Sequence, residues 1–321
     1  MKSFKSGLGV QLQSFIDYKH SLGYSYHAGE FYLHDFDQFC YRTGVENILT
    51  KELAESWIIY REKASPDPYH SCVSAIREFG RYLQSIGEAE TYLLSDRFVI
   101  HRYRPTPYFF TDEEITCFFA MCDTFHIRRQ TPGRFLIPSV YFRFLYCCGV
   151  RTCEARLLFM EDVHLEKGYV DIIHSKGLKD RRIYLPEDLL DLFLKYNQKI
   201  SAYLPERRYF FPSSSKKSCS SGWISLTFNQ LWDAAGLRRK SSKQPRAYDF
   251  RHHFAFANVN RWVRDGLNVN AMLPYLMRYM GHSSLESTSY YIHLVPEFFS
   301  TYTKKTRVLE DILPEVNDEE E

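Results

Sequence analysis

Helical periodicity runs through almost the whole of this chain and gives way once, at Gly168-Tyr169-Val170-Asp171-Ile172-Ile173-His174, to the alternation of a strand. Ser175 to Asp180 then supply a turn and Arg181 to Pro186 a return strand, so one β-hairpin is expected inside a helical protein. Before it, the run from Val140 to Val163 reads as a helix, a turn near Gly149 and a second helix. After it come four more helical segments: 185–200, 224–236, 249–266 and 271–281. The expected fold class is mainly α with a small β-hairpin or sheet (α+β).

The first hundred residues hold their own set of helices. The segment LQSFIDYKHSLGY has apolar residues at helical spacing and stops at Gly23, and the next segment ends at Gly44. Thr50 can cap a third helix with Glu52 and Glu55 in its early turns, and after Ser65-Pro66-Asp67-Pro68 a fourth closes at Gly87. This predicts a small four-helix bundle over 1–95. Residues 96–110, with basic side chains, two prolines and no clear period, read as a linker. Thr111 followed by three acidic residues and an apolar run starts a larger domain over 111–300, and 301–321 form a tail. At 321 residues the chain exceeds a typical single domain, in line with that division.

No run of about 20 apolar residues occurs, and the first fifteen residues lack the apolar stretch of a secretory signal, so an intracellular, cytoplasmic protein is expected. The eight cysteines fit small buried hydrophobes better than zinc spacing. An aromatic share of 17% is read first as core packing and second as stacking on nucleic acid. The net charge of +2 conceals an uneven distribution: residues 174–246 carry 15 basic against 6 acidic side chains, and 309–321 carry seven acidic and no basic ones. A solvated surface can carry such an imbalance by chance, but a basic middle and an acidic end also match the electrostatic footprint of DNA binding in a nearly neutral protein.

Arg151, Lys176, Arg251 and His282 would each pass for a surface residue if met alone. Their order and spacing do not. Gly149-Val150-Arg151-Thr152-Cys153-Glu154 is similar to a G-[LV]-R-x-x-E box. His174-Ser175-Lys176-Gly177-Leu178-Lys179-Asp180-Arg181 is similar to a G-K-G-x-K-x-R hairpin turn, and Tyr248-Asp249-Phe250-Arg251-His252 to H-x-L-R-H. Met280-Gly281-His282-Ser283-Ser284 is similar to L-G-H-S-S, and Tyr291 follows its histidine by nine residues. On these motifs the chain resembles the tyrosine recombinase family, also called the phage-integrase or lambda-integrase family. The resemblance is strong from 111 to about 300; the first domain matches the family's SAM-like core-binding bundle only in size, position and helical character.

The resemblance implies a site-specific recombinase or integrase that cuts and rejoins DNA through a 3′-phosphotyrosyl link, for a mobile element. It implies no cofactor and no metal, and as partners duplex DNA carrying a recombination site and a synaptic tetramer. Arg151 and Arg251 would clamp the non-bridging oxygens, on which charge builds in the transition state. Lys176 would protonate the leaving 5′-oxygen, with Lys179 on the same turn as its rival. His282 would hydrogen-bond the scissile phosphate, Tyr291 would attack it, and Glu154 would orient Arg151. Tyr290 competes with Tyr291 but points elsewhere on a helix. Tyr248 departs from the family pattern, because a phenol with a pKa near 10 cannot shuttle protons at pH 7 as a histidine does. That leaves the base for Tyr291 open, and the neighbouring His252 and His253 are expected to be structural. In the tail, Phe298, Phe299, Leu309, Ile312 and Leu313 could pack on their own domain or on a neighbouring protomer. A type IB topoisomerase and a catalytically inactive DNA-binding regulator are the alternative readings.

Overall fold

The computed structural model describes residues 3–44, 47–64, 69–98, 107–124, 133–173, 180–238 and 244–282. It divides into two compact units, Met1–Pro105 and Thr106–Glu321. Lys176 and Lys179, Tyr290 and Tyr291, and the tail beyond 300 lie outside the described residues. Among the described residues no helix is long and apolar enough to cross a membrane.

The first unit contains α1 (Gly9–Ser21), α2 (His27–Thr43), α3 (Lys51–Ala64) and α4 (Tyr69–Ser85). Gly44 ends α2 with a φ of +67°, in the left-handed region that glycine reaches without steric cost. The Thr50 hydroxyl accepts the Leu53 amide at 3.2 Å, the cap expected of it. Phe15, Phe36, Trp57 and Phe79 fill the centre of the bundle, and Phe98 packs against the same core.

The second unit contains α5 (Asp112–Thr124), α6 (Ile137–Cys148), α7 (Thr152–Arg156), β1 (Val163–His164), β2 (Tyr169–Ile172), β3 (Arg181–Tyr184) and α8 (Glu187–Ser201). It continues with β4 (Pro212–Ser214), β5 (Lys217–Ser218), α9 (Ser221–Ala234), α10 (Asp249–Arg264) and α11 (Val269–Met280). Thr111 and Glu114 cap α5 reciprocally: the Glu114 amide donates to the threonine hydroxyl at 3.2 Å and the Thr111 amide to the carboxylate at 3.0 Å. Phe118, Phe142, Phe228 and Phe250 meet at the centre of the core, and Phe110 stacks on Phe250 with ring centroids 4.7 Å apart.

The expected hairpin is present, with Val170 opposite Ile183 and Ile172 opposite Arg181. It gains a third antiparallel strand, β1, which the alternation of the sequence did not reveal. The second pair, β4–β5, was not anticipated either.

The helix expected after Gly149 is shorter than its apolar run implies. α7 stops at Arg156, after five residues. The Leu158 carbonyl then accepts the Phe210 amide at 2.9 Å, and the Met160 amide donates to the Arg208 carbonyl at 3.0 Å. Phe159 pairs with Tyr209 in a β-bridge. Pairing with a distant segment has overridden the local pattern.

Candidate active site

Gly149 ends α6 with a φ of +58°, and a Cβ there would lie 2.3 Å from Cδ1 of Phe254. Only glycine fits, so the chain turns sharply here and places Arg151 in extended backbone at the head of α7. The Arg151 amide donates to Oε2 of Glu154 at 2.8 Å, and its Nη1 donates to Oε1 at 2.6 Å. One carboxylate therefore fixes both the backbone and the guanidinium of the first-box arginine.

Three arginines converge on the last two carbonyls of α11 and on that of Gly281, which ends it. Arg181 Nε donates to the Tyr279 carbonyl at 2.7 Å, Arg251 Nη2 to that of Met280 at 2.6 Å, and Arg151 Nη2 to that of Gly281 at 2.6 Å. Carbonyls at a helix C-terminus lack intrahelical partners and carry the negative end of the helix dipole, so they suit cations. Arg251 also donates from Nη1 to the Gly149 carbonyl at 2.7 Å, which ties α10 to the first box. Gly281 keeps this packing possible: its φ is +65°, and a Cβ would lie 3.1 Å from Arg181 Nη1.

Glu154 is the counter-ion of this cluster. Both Nη groups of Arg181 reach it, at 3.1 and 2.7 Å, in addition to the two donors from Arg151. Burial pushes the carboxyl pKa up, and the hydrogen bonds and charge of Arg181, followed by the hydrogen bonds of Arg151, pull it further the other way, to about 2. Arg251, only 1% exposed, is lowered to about 10 by burial and then by the like charge of Arg151, so it stays protonated at neutral pH.

His282 follows Gly281 and donates its amide to the Met277 carbonyl at 3.0 Å. Burial, then the charges of Arg251, Arg151 and Arg181, lower its imidazole to about 3, so the ring is neutral above pH 5. Tyr248 immediately precedes α10 and is 37% exposed, with its ring edge-on to His252 at 5.1 Å between centroids. Burial lowers His252 to about 4. His253 turns the other way: it stacks on Tyr146 at 5.5 Å and meets Phe110 edge-on at 5.8 Å.

The structure thus brings Arg151, Glu154, Arg251 and His282 together, with Tyr248 at the head of the helix that carries Arg251. It adds Arg181, which sequence reasoning gave no role. The available signal was its place as the closing arginine of the G-K-G-x-K-x-R-like turn. Arg151 uses two guanidinium N–H groups in these bonds and Arg251 two, of the five that each carries, and Arg251 Nε has no partner among the described residues. The remaining donors suit an anion with several oxygens, such as a phosphodiester.

A family model described as the phage integrase family matches residues 109–297. A putative integrase/recombinase of Sinorhizobium fredii, y4rE, is 28% identical over 295 residues, covering 91% of this chain and 93% of its own length. The tyrosine recombinase XerA of Pyrococcus furiosus is 26% identical over 170 residues, 53% of this chain and 54% of its own. Among solved structures, the Tn1549 transposon integrase in complex with transposon right end DNA aligns with a TM-score of 0.63 at 13% identity, over 94% of this chain and 99% of that one. The XerH site-specific recombinase in its post-cleavage complex with difH substrate aligns at 0.59 and 18%, over 92% and 83%. At these identities the structural likeness concerns the fold.

Proposed function

The chain belongs to the phage integrase family, whose tyrosine recombinases cut and rejoin DNA through a tyrosine nucleophile, and from that premise we propose how its own residues carry out the reaction. The substrate is duplex DNA with a specific recombination site, and the reaction serves a mobile element. Arg151 and Arg251 clamp the non-bridging oxygens of the scissile phosphate. The observation that carries this reading is their shared anchorage on the Gly281 and Met280 carbonyls, with donors left over on both guanidiniums. Held in advance by backbone and Glu154, they need no reorganisation as charge develops, and removing such a donor typically costs about 3 kcal/mol of transition-state stabilisation.

Tyr291 Oη gives up its proton to water and attacks phosphorus, the bond from phosphorus to the 5′-oxygen breaks, and Lys176 protonates that oxygen. The 3′-phosphotyrosyl ester keeps the energy of the broken bond, so a 5′-hydroxyl from another strand can reverse the step and join the new pair. His282, uncharged at neutral pH, hydrogen-bonds the phosphate without adding a further positive charge to those of the arginines. Tyr248 replaces the histidine usual in the second box and donates a hydrogen bond from its phenol. Strand exchange in pairs calls for four protomers on two DNA sites, and the basic 174–246 stretch makes binding steeply salt-dependent.

The test is a nicked suicide duplex, its site recovered by selecting randomised duplexes that the protein retains covalently. A denaturant-resistant adduct is expected, lost in Tyr291→Phe and kept in Tyr290→Phe. The reverse pattern would move the nucleophile to Tyr290. No adduct with any duplex would favour an inactive DNA-binding regulator, and relaxation of supercoils without recombinants would favour a topoisomerase.

A further inference from the structure

Arg181 is the member of the arginine cluster to which the proposed reaction gives no task, yet it has the most connected position. It is the first residue of β3, directly after the segment that holds Lys176. Strand alternation puts it on the same face as the buried Ile183, and its side chain is only 8% exposed. Its Nε binds the Tyr279 carbonyl near the end of α11, and its two Nη groups bind the two oxygens of Glu154 on α7. One side chain thus joins the hairpin, the first box and the helix that leads to His282.

The way Glu154 is shared explains what this arrangement does. A buried carboxylate beside a guanidinium tends to close a two-point fork, with a parallel N–H on each oxygen. Arg181 forms that fork, Nη1 to Oε1 and Nη2 to Oε2. The side chain of Arg151 meets the same carboxylate through Nη1 alone and gives Nη2 to Gly281. We infer that Arg181 is a positioning residue for phosphoryl transfer: by occupying the fork of Glu154, it keeps Arg151 from being captured there and leaves the Arg151 donors facing the phosphate. This rests on the proposed role of Arg151 as a phosphate clamp. With Arg181 gone, Glu154 remains buried and anionic, and Arg151, already bonded to Oε1, is the cation among the described residues placed to take both oxygens. The guanidinium then turns from the Gly281 carbonyl and the phosphate towards the carboxylate.

The capture argument has a signature that a merely structural role lacks. Arg181→Ala should slow adduct formation on the nicked suicide duplex about 10- to 100-fold, the usual effect of removing an outer-shell partner. Adding Glu154→Gln to Arg181→Ala removes the capturing charge and should make the double variant faster than the single one, although Glu154→Gln alone slows the wild type. Where circular dichroism shows that Arg181→Ala has lost its helices, Arg181→Lys and Arg181→Lys/Glu154→Gln replace it, since lysine keeps the charge but cannot form the fork. A single variant as fast as wild type, or a double variant no faster than the single, overturns the inference. Absence of any adduct with the wild-type protein would instead sink the reading on which it rests.

Discussion

Replacing Glu154 by Gln removes the anion that Arg151 and Arg181 share while keeping its shape, and the effect on stability can be worked out. The carboxyl is depressed from an ordinary 4.5 to about 2, with its side chain only 4% exposed. A group whose folded pKa lies below its unfolded one stabilises the fold above the unfolded value and loses that contribution as pH falls through the folded value. A depression of this size corresponds to roughly 3 kcal/mol at pH 7 and roughly 1 kcal/mol at pH 3. His282 and His252, depressed from 6.5 to about 3 and about 4, add acid destabilisation of their own, so the difference between wild type and variant is the diagnostic quantity. Urea unfolding of the full chain by tryptophan fluorescence suits the purpose, because Trp223, Trp232 and Trp262 lie in the unit that holds Glu154. The gap between the two proteins should narrow by roughly 2 kcal/mol from pH 7 to pH 3. A gap of constant width would mean that the carboxylate is not held by the arginines, and the account of the cluster would fall with it.

Gly149→Ala should destabilise by about 2 kcal/mol or more, since alanine meets both a φ of +58° and the Phe254 ring; it should also slow adduct formation by shifting the carbonyl that holds Arg251, as urea titration and suicide-substrate kinetics would register. Phe250→Ala, at a fully buried ring among Phe110, Phe118, Phe142 and Phe228, should cost about 3–5 kcal/mol in the same titration. The rate of adduct formation at limiting protein should show no inflection from His282 or His252 between pH 5 and 7, because both imidazoles are already neutral there; a step near pH 6.5 would place one of them in contact with solvent.

The helices were legible because their signals are local. Thr50 and Thr111 announce helix starts through capping geometry that needs only three or four residues, and Gly44 and Gly149 announce ends because no other residue takes a positive φ at so little cost. The elements that were missed depend on distant partners. Leu157 to Met160 carry an apolar run that reads as helix, yet Phe159 pairs with Tyr209 and Leu158 with Phe210, fifty residues away in the chain. The site divides in the same way. Arg151, Arg251, Glu154 and His282, which the structure brings together, were singled out as candidates by motif spacing. The role of Arg181 could not be found so, because it depends on hydrogen bonds to Glu154 and Tyr279, 27 and 98 residues away.

The charge balance of the cluster also bears on the proposed phosphate clamp. Arg151, Arg181 and Arg251 bring three positive charges, Glu154 returns one negative charge, and His282 is neutral, leaving a surplus of two within the described residues. The carbonyls of Tyr279, Met280 and Gly281 offset part of that surplus with fixed dipoles. Dipoles hold the guanidiniums in place without cancelling their charge, whereas a second carboxylate would have satisfied them and competed with the phosphate. Burial sharpens this difference, because an uncancelled cation at low dielectric attracts an incoming anion more strongly than one in water. A phosphodiester would bring one negative charge to a site with two to spare, and the additional charge that grows on its oxygens in the proposed attack by Tyr291 would meet the other. The transition state is then better matched than the ground state, which is the condition for a clamp to accelerate the reaction and not merely to bind DNA.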